Sequence, residues 1–244
     1  MSEPLLVVDE ASRRFAGLTA VDQVSFALGR GEILSLIGPN GAGKTTLFNL
    51  ISGQLRPSEG AILFGGQRID ALPPHARAQR GIGRTFQIAK PLIGLTAREN
   101  VMVGAFLRHR AHDAAFAAAT AALAEVGLVA RAEIQAAELT LSERRRLEVA
   151  RALALEPQLI LLDEVMAGLN ATEIGHVIDL IQRLNARGMT FLVIEHNLKV
   201  VRTFSQRVIV LDHGARIAEG SAADVLSDPE VVRAYLGKKH AGSA

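Results

Sequence analysis

Apolar positions along this chain gather into short uninterrupted runs. Ile33-Leu34-Ser35-Leu36-Ile37, Leu159-Ile160-Leu161-Leu162, Thr190-Phe191-Leu192-Val193-Ile194 and Arg207-Val208-Ile209-Val210-Leu211 carry almost no polar position. Runs of this length suit strands buried on both faces of a parallel sheet. Between them lie stretches with helical periodicity, Arg144–Leu155 and Thr172–Ala186, the second closed by Gly188. Strand and helix alternating in this way predict an α/β sheet. The N-terminal third has another pattern. Leu5–Val8, Val24–Leu28 and Ala61–Phe64 alternate around turn residues such as Gly31 and Pro57-Ser58-Glu59-Gly60, which predicts a small antiparallel sheet. Residues 97–137 are helical and Ala-rich, and Phe116, Leu123, Val126 and Leu128 give them a face to pack. An inserted helical lobe is expected there rather than a low-complexity linker. Ser221–Gly237 reads as two short helices split at Asp228-Pro229.

Composition narrows the class without choosing a function. The 244 residues, 49% of them hydrophobic, suffice for one substantial core and an inserted lobe. With no cysteine, neither a disulfide framework nor a thiolate zinc site can form. The opening MSEPLLVVDE lacks a basic region followed by an apolar one, so no signal peptide is expected. The apolar runs fall far short of the ~20 residues that a membrane span needs. Twenty-seven basic residues against 25 acidic give a net charge of +2, no electrostatic case for a nucleic-acid partner. A soluble, intracellular protein is the expectation.

The chemistry begins where the first apolar run ends. Residues 38–46 read GPNGAGKTT, namely Gly38, Pro39, Asn40, Gly41, Ala42, Gly43, Lys44, Thr45 and Thr46. A strand delivers the chain into a glycine-rich loop, and Thr45-Thr46-Leu47-Phe48 opens a helix. The glycines let backbone N–H groups curl around phosphate oxygens, and the helix N-terminus adds partial positive charge. Lys44 should reach the β- and γ-phosphates, and the Thr45 hydroxyl should ligate Mg²⁺. A glycine-rich turn that merely reverses the chain would not need this set of residues in this context. The chain is expected to bind a nucleoside triphosphate.

Other candidates follow in chain order. Leu159–Leu162 ends in Asp163 and Glu164. At that strand tip Asp163 can hold Mg²⁺ through water, and Glu164 can act as base for the attacking water. An acidic pair after a strand can also be a solvated strand end; its place downstream of a phosphate loop favours the catalytic reading. Gln87, in Gly83-Arg84-Thr85-Phe86-Gln87, stands between the phosphate-loop half and the helical lobe, where a neutral amide can meet Mg²⁺ and the attacking water. His196, in Val193-Ile194-Glu195-His196-Asn197, ends another strand and can contact the γ-phosphate. Phe15 could stack on an adenine face, with a core aromatic as the competing reading.

Phe15, GPNGAGKTT, RTFQ, LILLDE and IEHN together resemble, in order and spacing, the ATP-binding subunits of ABC transporters. The likeness runs from about Leu5 to Gly237. RTFQ around Gln87, AGLN at Ala167–Asn170, IEHN around His196 and RAYLG at 233–237 are closest to the subunits of branched-chain amino-acid importers. The resemblance implies an α/β P-loop NTPase: a RecA-like core with an N-terminal antiparallel β-subdomain (about 1–88 and 156–220), a helical subdomain (about 89–155) and a tail (221–244). It implies an ATPase using ATP and Mg²⁺, peripheral on the cytoplasmic face of a bacterial inner membrane. Its partners would be permease subunits, a second ATP-binding subunit and, indirectly, a solute-binding protein. In such dimers each ATP lies between one subunit's phosphate loop and the other's signature motif.

The signature departs from the family pattern. LSGGQ falls on Leu139, Thr140, Leu141, Ser142 and Glu143, which keeps a hydroxyl but loses both glycines and the glutamine. Leu141 and Ser142 bring side chains to a place where backbone should approach phosphate, and Glu143 brings a negative charge. Val165 replaces the usual proline, and Asn170 stands where many relatives have aspartate. A weakened trans site, and with it a heterodimer, is the expectation; the alternative is a homodimer in which these substitutions are a tolerated variant. Two other readings stay open. One is an ATPase of lipopolysaccharide export, which shares a stretch like LPPHARAQRGIG at 72–83. The other is a soluble ABC-type ATPase, although such proteins usually need a coiled-coil or zinc insertion or a second cassette. A P-loop kinase would leave Gln87 and His196 unexplained.

Overall fold

A computed structural model describes residues 3–85 and 91–236. The chain divides into two compact units, Met1–Arg77 with Thr190–Ala244, and Ala78–Met189. The N-terminal segment forms β1 (Leu6–Phe15), β2 (Leu18–Leu28), β3 (Ile33–Ile37), α1 (Lys44–Ser52), β4 (Glu59–Phe64), β5 (Gln67–Arg68) and α2 (Pro74–Gln79). The middle carries β6 (Ile82–Arg84), α3 (Ala97–Ala105), α4 (His112–Glu125), α5 (Leu141–Leu153), β7 (Leu159–Asp163) and α6 (Ala171–Ala186). It is followed by β8 (Thr190–Ile194), α7 (Leu198–Phe204), β9 (Arg207–Asp212), β10 (Ala215–Gly220), α8 (Ala222–Ser227) and α9 (Pro229–Leu236).

The first unit contains both kinds of sheet expected from the sequence. Its antiparallel sheet runs β2-β1-β4-β5. β1 and β2 are longer than the alternation suggested, because bulges interrupt it. Glu10 and Gln23 adopt φ of 45° and 46°, and their N–H groups donate to Ser25 Oγ and Ser12 Oγ at 2.8 and 2.9 Å. These irregularities shift the register after Val8 and again after Ala11. β3 lies in parallel between β8 and β9, and β10 returns antiparallel on β9. Every residue of β3 and β8 is buried, which accounts for their lack of a polar face. Arg77, fully buried, ties this unit together. Its guanidinium donates to the carbonyls of Leu50 and Ile51 at the end of α1 (2.6 and 2.9 Å) and to those of Asp70 and Leu72 (both 3.0 Å).

The second unit pairs β6 with β7 in parallel and packs α3, α4 and α5 as a helical group. α3 and α5 approach closely at Gly104, where an added Cβ would lie 2.8 Å from the Arg151 carbonyl. Leu123, Val126 and Leu128 are buried as the lobe required, whereas Phe116 is 41% exposed beneath the Arg98 guanidinium, 4.2 Å from its ring centre. Among the described residues no helix is long and apolar enough to cross a membrane.

Candidate functional site

The phosphate loop is shaped by what surrounds it. Leu36 of β3 stands in register with Ile194 of β8, so the two strands deliver Gly38 and His196 at the same sheet edge. Gly38 has φ of 146°, and a Cβ there would lie 2.1 Å from the Leu211 carbonyl oxygen. At Gly43, φ of 97°, a Cβ would lie 2.3 Å from the Ala20 oxygen. Only glycine fits either position. Gly214 N–H donates to the Ala42 carbonyl at 3.2 Å, and Asp22 N–H to the Gly214 carbonyl at 2.9 Å, so β2 and the β9–β10 turn brace the loop from outside. The result is a cradle of backbone with no side chain filling it at Gly41.

The N-terminus of α1 is equally suited to an anion. It has no side-chain cap and no acidic residue in its first turn. Lys44, buried to 8% exposure, bends back so that Nζ donates to the carbonyls of Gly38 (2.7 Å) and Pro39 (3.0 Å). An ammonium held over the loop is the group that would meet the outer phosphates of a nucleotide. Thr45, Asn40 and Gly41 are exposed, and Ala42 and Pro39 are buried behind them. His196 is exposed, while its neighbour Asn197 caps α7 by accepting from the N–H groups of Lys199 and Val200. These residues fit a nucleotide triphosphate. Phe15 lies at the end of β1, 39% exposed rather than in the core, with the Arg13 guanidinium 4.6 Å from its ring centre.

In the second unit the acidic pair takes up two different environments. Asp163 is 1% exposed, and its Oδ2 accepts from Arg84 Nη2 at 3.1 Å. Its backbone N–H donates to Thr85 Oγ1 at 3.2 Å, and Thr85 is itself fixed on the Leu161 carbonyl. Burial pulls the Arg84 guanidinium below its ordinary range, and the Asp163 charge opposes that pull. Glu164 follows with φ of 50°, a left-handed conformation that costs a non-glycine residue energy and turns the chain sharply after the strand. Val165 is buried behind it. Arg84 belongs to the RTFQ segment, but sequence reasoning singled out only its glutamine. Gln87 lies outside the described residues.

The signature region is organised by a cap. Leu139 is buried, and Thr140 is the N-cap of α5: its hydroxyl accepts from Glu143 N–H at 3.2 Å, and Glu143 Oε2 accepts from Thr140 N–H at 2.8 Å. Arg131 Nε lies 3.1 Å from the other Glu143 oxygen. Burial works against the Glu143 charge, but the Thr140 bonds, then Arg131 and Arg146, outweigh it and hold the carboxyl below its usual range. Leu141 stands 48% exposed beside the cap, and Ser142 is half-buried. Asn170 makes the same kind of reciprocal cap with Glu173 at the start of α6.

Comparison with known proteins gives this geometry its context. The family described as "ABC transporter" matches residues 21–167, and "Branched-chain amino acid ATP-binding cassette transporter" matches 215–241. The high-affinity branched-chain amino acid transport ATP-binding protein LivG of Escherichia coli K12 is 39% identical, covering 98% of this chain and all of that one. The lipopolysaccharide export system ATP-binding protein LptB of Haemophilus influenzae is 34% identical, covering 96% and 98%. A solved ATP-binding cassette of an ABC transporter in its ADP conformation superposes with a TM-score of 0.89 at 31% identity, covering 97% of this chain and 100% of that one. With the phosphate cradle, the strand-end carboxylates and these likenesses in agreement, the chain belongs to the ABC transporter family, as one of its ATP-binding, ATP-hydrolysing subunits.

Proposed function

We propose that this chain powers an ABC importer for branched-chain amino acids or a related polar solute, from the cytoplasmic face of a bacterial inner membrane. Support for the cargo class comes from LivG at 39% identity over nearly the full chain and from the C-terminal match at 215–241. LptB, at 34%, supports the export reading less strongly. Residues 1–88 and 156–220 form the core with its β-subdomain, and 89–155 the helical subdomain. That subdomain docks on permease subunits, and exposed Leu92, Ile93, Val103 and Phe106 supply apolar contact area. A solute-binding protein presents the cargo on the far side, and a second ATP-binding subunit completes the dimer.

At the nucleotide, the loop 38–46 binds phosphate, Lys44 neutralises the β- and γ-oxygens, and Phe15 stacks on the base. Thr45, Asp163 and Gln87 are the groups we place around Mg²⁺, which when bound offsets phosphate charge. Glu164 accepts the proton of the attacking water, and His196 contacts the γ-phosphate. Closure of the dimer on ATP and its opening after hydrolysis pass through the region of Gln87 to the permease. The observation that carries this reading is the cradle at Gly38–Thr46, with Lys44 held over it.

The test is purification from membranes with whatever polytopic proteins accompany the chain, followed by uptake assays with radiolabelled leucine, isoleucine and valine. Uptake should require ATP and fall with Glu164→Gln, whose turnover should drop ~10²–10⁴-fold while nucleotide binding persists. Unchanged turnover in that variant removes Glu164 from the base role. Stable insertion of the chain alone into liposomes overturns the peripheral reading.

A further inference from the structure

Tyr235 lies near the end of α9, far along the chain from the phosphate loop. Its ring packs on the apolar cluster of Ile37, Val201, Val208, Val210, Val225 and Val231, whose first member is the residue immediately before Gly38. The hydroxyl oxygen is closed off from solvent and makes no hydrogen bond. Burial pushes the phenol up to about 12; the Gly38 backbone N–H opposes this, acting on the oxygen without reaching hydrogen-bond geometry. A phenylalanine would fill the same space without enclosing an unsatisfied polar atom, so the hydroxyl costs stability in this arrangement. The cost calls for another arrangement in which the hydroxyl is used.

Lys44 indicates what that arrangement is. Its ammonium now occupies the carbonyls of Gly38 and Pro39. When phosphate draws the ammonium away, the backbone at the start of the loop loses those bonds. A phenol can both donate and accept, so a small shift at Gly38 brings its backbone into bonding range of Tyr235. We propose that Tyr235 is a positioning residue of the phosphate loop, its hydroxyl engaging the backbone at Gly38 once phosphate has drawn Lys44 away, so that α9 tightens when nucleotide is bound. This rests on the reading of residues 38–46 as a nucleotide site and adds to it a link to the C-terminal helix.

The test uses the full chain and its Tyr235→Phe variant with MgADP as probe. Three quantities are measured: melting without nucleotide, MgADP affinity by calorimetry, and amide exchange over 229–236 with and without MgADP. Without nucleotide the variant should melt at or above the wild-type temperature. Its MgADP affinity should fall about tenfold, the worth of one modest hydrogen bond. In the wild type MgADP should slow exchange over 229–236, and in the variant that slowing should disappear. A variant that melts lower without nucleotide would mean that the hydroxyl is already bonded, and the proposal falls. Wild-type affinity in the variant, or no slowing in the wild type, also overturns it. A wild-type chain that binds no MgADP would instead defeat the nucleotide-site reading, and this one with it.

Discussion

Arg84 Nη2 donates to Asp163 Oδ2 across 3.1 Å, and the two side chains are 9% and 2% exposed. The pair joins the end of β6 to the tip of β7, where Asp163 is the last residue. Thr85 reinforces the link by accepting from Asp163 N–H. A carboxylate buried this deeply needs a compensating charge, and Arg84 supplies it.

Removing one member of a buried pair strands the other, which typically costs ~3–5 kcal/mol. Arg84→Met should therefore lower stability markedly in urea unfolding, and Arg84→Lys should recover only part, because an ammonium lacks the planar fork. Adding Asp163→Asn to Arg84→Met should restore much of the loss. A double-mutant cycle with coupling below ~0.5 kcal/mol, the scatter for independent sites, would show that the pair does not act as one.

Arg77 invites a similar test for another reason. Its donors cover the last carbonyls of α1, where a cation also favours the helix dipole, and burial lowers its pKa to about 10. Arg77→Met should destabilise by ~3–5 kcal/mol, since each buried carbonyl left unsatisfied costs ~1–3 kcal/mol. Arg77→Lys should fall between the two. A loss below ~1 kcal/mol for Arg77→Met in chemical denaturation would mean that water or neighbouring groups take over these carbonyls.

Glu143 makes a prediction in pH. Its folded pKa lies below the usual 4.5, so its ionised form stabilises the fold above that value, and this stabilisation is lost as pH falls through the folded pKa. Glu143→Gln should be less stable than wild type near pH 7, by up to ~1 kcal/mol for a partly buried charge at a helix N-terminus. The gap should begin to narrow as the pH drops below about 4.5 and close once it has fallen through the lower folded pKa, where both side chains are neutral. A gap that stays constant from pH 7 to pH 3 in melting experiments would assign the difference to shape rather than charge.

What the sequence revealed, and what it concealed, follows from how far each residue's partners lie. β3 and β8 were legible because burial on both faces leaves no polar position in them. The phosphate loop was legible because its chemistry is local: strand, glycines, lysine and helix are consecutive. The full lengths of β1 and β2 are hidden in the sequence because bulges at Glu10 and Gln23 break the period of two. α5 was expected from Arg144 but begins at Leu141. The Thr140-to-Glu143 cap that starts it follows a Thr-x-x-Glu pattern, a local signal of a helix N-terminus that coincides with the degenerate signature. Arg84 finds its partner 79 positions away, and nothing in a periodic pattern announces a contact of that kind.

The cap on α5 sharpens the expectation of asymmetry between the two ATP sites of a dimer. In the family the signature offers a serine hydroxyl and glycine backbone to the partner's nucleotide. Here the Thr140 hydroxyl accepts from Glu143 N–H, which leaves its hydrogen to donate, while the Glu143 carboxylate takes Thr140 N–H and faces Arg131. A phosphate would have to displace that carboxylate and pass the exposed Leu141. Losing one charge-assisted hydrogen bond costs ~1.5–3 kcal/mol, or roughly 10–100-fold in rate for one contact. A homodimer of this chain should therefore hydrolyse ATP slowly. Beside a second ATPase with an ordinary signature, this chain's phosphate loop would face that signature and form the active site, while the opposite site mainly binds. Glu164→Gln here should then nearly abolish turnover, and the equivalent change in the partner should do less. Steady-state ATPase assays on the two single variants decide the matter: equal losses, or brisk turnover by the homodimer alone, would mean that the capped signature is as competent as the ordinary one.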